Sequence, residues 1–101
     1  MTKTLYESLG VENSKKLFVI YPANSFPGEP VALNDNTHFN SYGAYQLAKC
    51  VIEGIRSNNL GIKRYLREGM PAYNPSNPDP FEEFNLQISP RSPVIILPPT
   101  L

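Results

Sequence analysis

Apolar residues recur along this chain in distinct rhythms. Leu5 and Leu9 lie four residues apart in Lys3-Thr4-Leu5-Tyr6-Glu7-Ser8-Leu9. That spacing sets both on one side of a two-turn helix over 3–9, with Gly10 as its natural stop. Leu17-Phe18-Val19-Ile20-Tyr21 is an unbroken apolar run, rich in β-branched and aromatic residues and closed by Pro22. It predicts a short buried strand. Residues 22–37 are dense in Pro, Gly, Asn and Asp, which predicts loop. Ala44, Leu47, Ala48, Val51 and Ile55 then recur at spacings of three and four, with Gln46, Lys49, Glu53 and Arg56 opposite them. This pattern predicts a helix over about 41–57, packed along the stripe and wet on the other side. Asn40 or Ser41 can cap its first turn, and Asn58-Asn59 with Gly61 supply the stop. At 1.5 Å per residue the helix is a rod of roughly 25 Å.

A shorter helix is expected over Ile62–Arg67, with Tyr65 and Leu66 inward and Lys63, Arg64 and Arg67 outward. Proline then partitions the chain. None occurs between Val31 and Met70, and eight follow from Pro71 to Pro99, so long helix fits the middle and not the tail. Two regions result: 1–70, and a Pro-rich extended tail over 71–101. Phe81, Phe84, Leu86 and Ile88 give the tail apolar anchors, and Val94 to Leu97 reads as extended. From Lys49 to Arg67 there are five basic residues and one acidic, a solvated face that Asp79, Glu82 and Glu83 could neutralise. Cys50, on the flank of the long helix, reads as an inert, partly buried thiol, and Tyr42 and Tyr45 as packing residues with wet hydroxyls.

Composition narrows the function. The 101 residues suit one small domain. Nine basic and nine acidic side chains cancel, which argues against a nucleic-acid binder that tracks phosphates. No apolar run approaches the roughly 18 residues of a membrane span, and Met1-Thr2-Lys3-Thr4 leads into no signal-peptide core. One cysteine excludes an internal disulfide, and one cysteine with one histidine excludes a Cys/His zinc cluster from this chain alone. No metal and no cofactor is expected.

The lone histidine, His38, follows Asp35 by three residues, directly before the long helix. A carboxylate at that spacing can reach an imidazole nitrogen, fix its tautomer and stabilise the imidazolium as it forms. The pair is built like the base and orienting acid of a serine hydrolase. An isolated Asp-x-x-His also arises by chance, with a histidine that only caps the helix or bonds locally.

The wider stretch Asp35-Asn36-Thr37-His38-Phe39-Asn40-Ser41-Tyr42-Gly43-Ala44-Tyr45-Gln46-Leu47-Ala48 resembles the last conserved block of the SGNH (GDSL-type) esterases. It looks most like their rhamnogalacturonan acetylesterase branch, and the likeness extends over roughly residues 5 to 67. The resemblance implies a three-layer α/β/α fold, of which this chain supplies a C-terminal piece. That piece is itself one long helix, one or two short ones, little or no sheet and an irregular tail. It implies His38 as general base and Asp35 as its orienting partner. Gly43 matches the position where the helix start passes close to neighbouring backbone. The family's nucleophilic serine, in a Gly-Asp-Ser turn, and the Gly and Asn of its oxyanion hole have no match among these residues.

The expectation is therefore the C-terminal part of a serine carbohydrate esterase that removes acetyl groups from plant polysaccharide. Its partners would be acetylated polysaccharide and the N-terminal part of the same fold, with no nucleic acid and no membrane. The resemblance implies a secreted or periplasmic parent, and the 101-residue chain alone is expected to be inactive. The alternative is a non-catalytic carbohydrate-binding or interaction module derived from the same fold. Tyr21, Phe26 and Phe39 are candidates for sugar stacking in either case.

Overall fold

The computed structural model describes residues 1–86. It is a mixed α/β arrangement in the order α1 (Thr2–Ser14), β1 (Phe18–Tyr21), β2 (Leu33–Phe39) and α2 (Ser41–Ser57). Short 3-10 turns lie at Lys15–Leu17, Gly61–Tyr65 and Phe81–Glu83. Gly10 breaks α1 as its sequence predicts: its φ of 77° is a left-handed value that glycine adopts freely, and the helix kinks there. Leu5 is fully buried and Leu9 half-buried, as their shared face requires.

The expected strand forms, but it does not stand alone. β1 pairs antiparallel with β2, in the register Phe18↔Phe39, Val19↔Asp35, Ile20↔Asn34 and Tyr21↔Leu33. Residues 33–37 are therefore strand and bulge rather than loop, and Asp35 and His38 sit on β2 rather than in a free loop before α2. Leu-Asn-Asp-Asn-Thr has little strand propensity of its own; pairing with the apolar β1 overrides it.

Helix α2 runs over the residues predicted. Asn40 is its N-cap, accepting a hydrogen bond from the Gly43 N–H at 2.9 Å, and Asn59 turns left-handed (φ 50°) beyond its end. The buried side of the helix differs from the expectation. Tyr42, Gly43, Gln46 and Cys50 are buried, whereas Ala44, Ala48 and Val51 on the apolar stripe are exposed. Gly43 meets the Leu17 carbonyl so closely that a Cβ there would lie 2.0 Å from the oxygen, which leaves room only for glycine.

The core joins Leu5, Leu17, Tyr42 and Cys50, with Tyr6, Leu9, Phe18, Leu47, Tyr73 and Phe84 packed around it. The proline-rich segment over 70–84 lies along the polar side of α2 and closes this core. Phe81 and Phe84 meet the Tyr42 ring edge-on at 5.1 and 5.6 Å. Gln46 accepts from the Tyr73 hydroxyl (2.7 Å) and the Asp79 N–H (3.2 Å), and Asp79 takes both Gln46 and Lys49 as donors. The Tyr42 hydroxyl donates to the Asp79 carbonyl at 2.6 Å, so it is not wet as expected. Tyr65 is 72% exposed, not inward, because Gly61–Tyr65 forms only a tight turn. Ile88 and Val94 to Leu97 lie outside the described residues.

Candidate active site

The register of the hairpin changes between Phe18 and Val19, whose partners are Phe39 and Asp35. Asn36, Thr37 and His38 bulge out between those pairs. The cause is local: Asp35 Oδ1 accepts the N–H groups of Thr37 (2.7 Å) and His38 (3.0 Å), diverting them from the strand ladder. The bulge swings the His38 ring back over Asp35, whose Oδ2 lies 2.7 Å from His38 Nδ1. One carboxylate thus shapes the backbone with one oxygen and holds the imidazole with the other.

This satisfaction keeps Asp35 ionised. The Thr37 N–H, then the His38 N–H, then the His38 ring hold its carboxyl below the usual carboxylate range. With Nδ1–H donated to the carboxylate, the ring's lone pair lies on Nε2, which has no hydrogen-bond partner among the described residues. The His38 side chain is 78% exposed, so Nε2 is open to whatever approaches.

Asn40 anchors this bulge to the rest of the molecule. Its backbone N–H donates to the Leu17 carbonyl at 3.0 Å, and its side-chain amide donates to the Lys16 and Phe18 carbonyls at 2.6 and 3.0 Å. Its carbonyl oxygen caps α2 at the same time. The cap was legible in the sequence; the amide's grip on β1 was not, since its partners lie more than 20 residues upstream.

Cys50 is buried, and burial pushes its thiol up, with the N-terminal charge opposing weakly, so it stays a protonated packing residue. Among the described residues, no three His, Cys, Asp or Glu side chains gather as a metal site would need. No helix among them is long and apolar enough to cross a membrane.

The site thus holds an ionised carboxylate, an imidazole tethered to it and an exposed Nε2, an arrangement able to accept a proton. Sequence comparison points the same way. Over 70 residues, 67% of its length, the chain is 49% identical to the rhamnogalacturonan acetylesterase RhgT of Bacillus subtilis (strain 168). Over that stretch the chain is similar to a rhamnogalacturonan acetylesterase. SGNH/GDSL is the general fold of that enzyme's family. The match covers 30% of RhgT. No family model matches the chain. No solved structure matches it.

Proposed function

We propose that this chain is the C-terminal part of a serine carbohydrate esterase that cleaves acetyl esters on plant polysaccharide. In this reading His38 is the general base and Asp35 its orienting partner. The observation that carries it is the 2.7 Å contact between His38 Nδ1 and Asp35 Oδ2, with the opposite ring nitrogen open, in a chain so similar to an acetylesterase.

The chemistry follows from the arrangement. A serine hydroxyl supplied by the N-terminal part of the fold approaches Nε2 and gives up its proton as its oxygen attacks the acetyl carbonyl. The imidazolium so formed is stabilised by the Asp35 carboxylate, which stays ionised because two backbone N–H groups already hold it. The imidazolium then returns the proton to the departing sugar oxygen. Water attacks the acetyl-serine in the second half, with His38 again as base, and acetate leaves.

None of the chain's serines stands in a Gly-Asp-Ser turn, so the 101 residues alone are expected to release no acetate. The test is a chimera in which the matched 70 residues of the Bacillus enzyme are replaced by those of this chain. It is expected to release acetate from acetylated rhamnogalacturonan. His38→Ala should lower kcat at least 1,000-fold, about 4 kcal/mol of transition-state stabilisation. Asp35→Asn should cost less than His38→Ala but still more than about 100-fold. A chimera that stays fully active as His38→Ala would sink the assignment.

A further inference from the structure

An aromatic pair lies beside the His38–Asp35 pair and outside the core. Tyr21 pairs with Leu33 and Val19 with Asp35, so the side chains at 19, 21, 33 and 35 share one face of the hairpin. Tyr21 is then the diagonal neighbour of Asp35, roughly 7–8 Å away and within reach of an aromatic side chain. The opposite face is occupied: Phe18 stacks on Phe39 at 5.2 Å, meets Tyr6 at 6.1 Å and packs against the core. Tyr21 is spared that packing. It meets the Phe26 ring edge-on, with centroids 4.9 Å apart and an interplanar angle of 89°.

Phe26 is held there by a well-bonded loop. Phe26-Pro27-Gly28-Glu29 is a turn closed by Glu29 N–H on the Phe26 carbonyl at 3.2 Å. Proline at its second position and glycine at φ 77° at its third are what a type II turn demands. The Asn24 N–H donates to the Glu29 carbonyl (3.1 Å), and both the Ser25 N–H and its hydroxyl donate to the Pro22 carbonyl (3.3 and 2.7 Å). The loop is thus ordered while its phenyl ring stays 45% exposed. It encloses an open concavity lined by Asn24, Ser25, Phe26 and Glu29, among others. Residues that carry an amide, a hydroxyl, a carboxylate and an aromatic ring line it.

We propose that the Tyr21–Phe26 pair and the concavity of the 22–30 loop form a subsite for one pyranose ring of the polysaccharide, placed to bring a neighbouring acetyl ester to His38 Nε2. This deepens the esterase reading and rests on it for the identity of the ligand. A pyranose has a face of C–H bonds that packs on an aromatic ring and a rim of hydroxyls that needs amide, hydroxyl and carboxylate partners. The loop offers both, already ordered, which lowers the entropy lost on binding.

The test is titration of the full 101-residue chain, isotope-labelled, with an acetylated rhamnogalacturonan oligosaccharide. The amide resonances of Tyr21 and of Asn24 to Glu29 should shift saturably. Phe26→Ala should weaken binding at least tenfold with the remaining resonances unmoved. Phe26→Tyr should retain binding, as should Val31→Ser, an exposed change outside the concavity. No shift at millimolar oligosaccharide, shifts confined to other residues, or unchanged affinity in Phe26→Ala would each overturn the subsite. Saturable binding here beside an inactive chimera would uphold the subsite and remove the esterase reading. An active chimera beside a silent loop would do the reverse.

Discussion

The two sides of α2 differ in a way that its own periodicity does not predict. Ala44, Leu47, Ala48, Val51 and Ile55 make the apolar side, yet Ala44, Ala48 and Val51 are exposed and Leu47 and Ile55 only half-buried. The side covered instead presents Tyr42, Gln46, Cys50 and Glu53. It is covered because every polar group there finds a partner. Gln46 serves Tyr73 and Asp79, while Glu53 accepts from the Tyr73 N–H (3.0 Å) and Arg56 (2.9 Å). Arg56 also reaches the Met70 and Pro71 carbonyls. No buried side-chain nitrogen or oxygen is left unpaired among the described residues. A stripe states which side of a helix favours burial; the segments at hand decide which side is buried.

The sharpest way to break this comparison is at Gln46, which is fully buried on the covered side. Gln46→Leu keeps the volume and takes away partners from the Tyr73 hydroxyl, the Asp79 N–H and the Asp79 carboxylate. Unsatisfied buried groups cost about 1–3 kcal/mol each, so a loss of about 2 kcal/mol in urea unfolding is expected. Limited proteolysis should then cut within 70–84, in the segment that Gln46 holds. A variant as stable and as resistant as the parent would show that packing of Phe81 and Phe84, not the polar network, seats the segment.

Acid should loosen the same contact more gently. Burial pushes the Asp79 carboxyl up, but hydrogen bonds from Lys49 and Gln46 and the Lys49 charge outweigh it and hold it below the usual range. A depressed folded-state value means that the contribution is present above the unfolded Asp value of about 3.9 and is lost as pH falls through the folded one. Near-ultraviolet circular dichroism, reporting Tyr42 and Tyr73, should therefore change below about pH 4. Glu82 is also held low, first by its own backbone N–H and then by Lys16, and Asp35 titrates in the same range. The Asp79→Asn variant isolates the step: it should remove most of the change, and an identical curve would assign the transition elsewhere.

What was legible in the sequence is what local chemistry decides. Asn40 caps a helix because a short amide beside free N–H groups does so anywhere, and Gly10 breaks one because only glycine takes φ 77° without strain. Asp35 reaches His38 across three residues without help from the rest of the chain. Tertiary partners decided the remainder. β2 is strand because β1 lies beside it, although Asn and Asp there favour loop. The Tyr42 hydroxyl is dry because Asp79, 37 residues downstream, arrives over it. The reversed burial of α2 belongs to the same class, since the helix carries no record of what will cover it.

The smallest expected effect sharpens the comparison furthest. Val51 stands mid-stripe on the uncovered side and is 63% exposed. Val51→Ser in this chain should move the urea midpoint by no more than about 0.5 kcal/mol, as exposed positions do. If the stripe is the side that meets the rest of an esterase, the same substitution in the Bacillus chimera buries a hydroxyl where a methyl pair packed. There it should cost about 2 kcal/mol. A small loss in both settings would mean that α2 keeps its apolar side outward in the chimera too. A large loss in both would mean that the stripe is already covered in the isolated chain, for instance by self-association. Only the unequal pair makes the polar side the seat of the proline-rich segment and the apolar side the seam with the remainder of the fold.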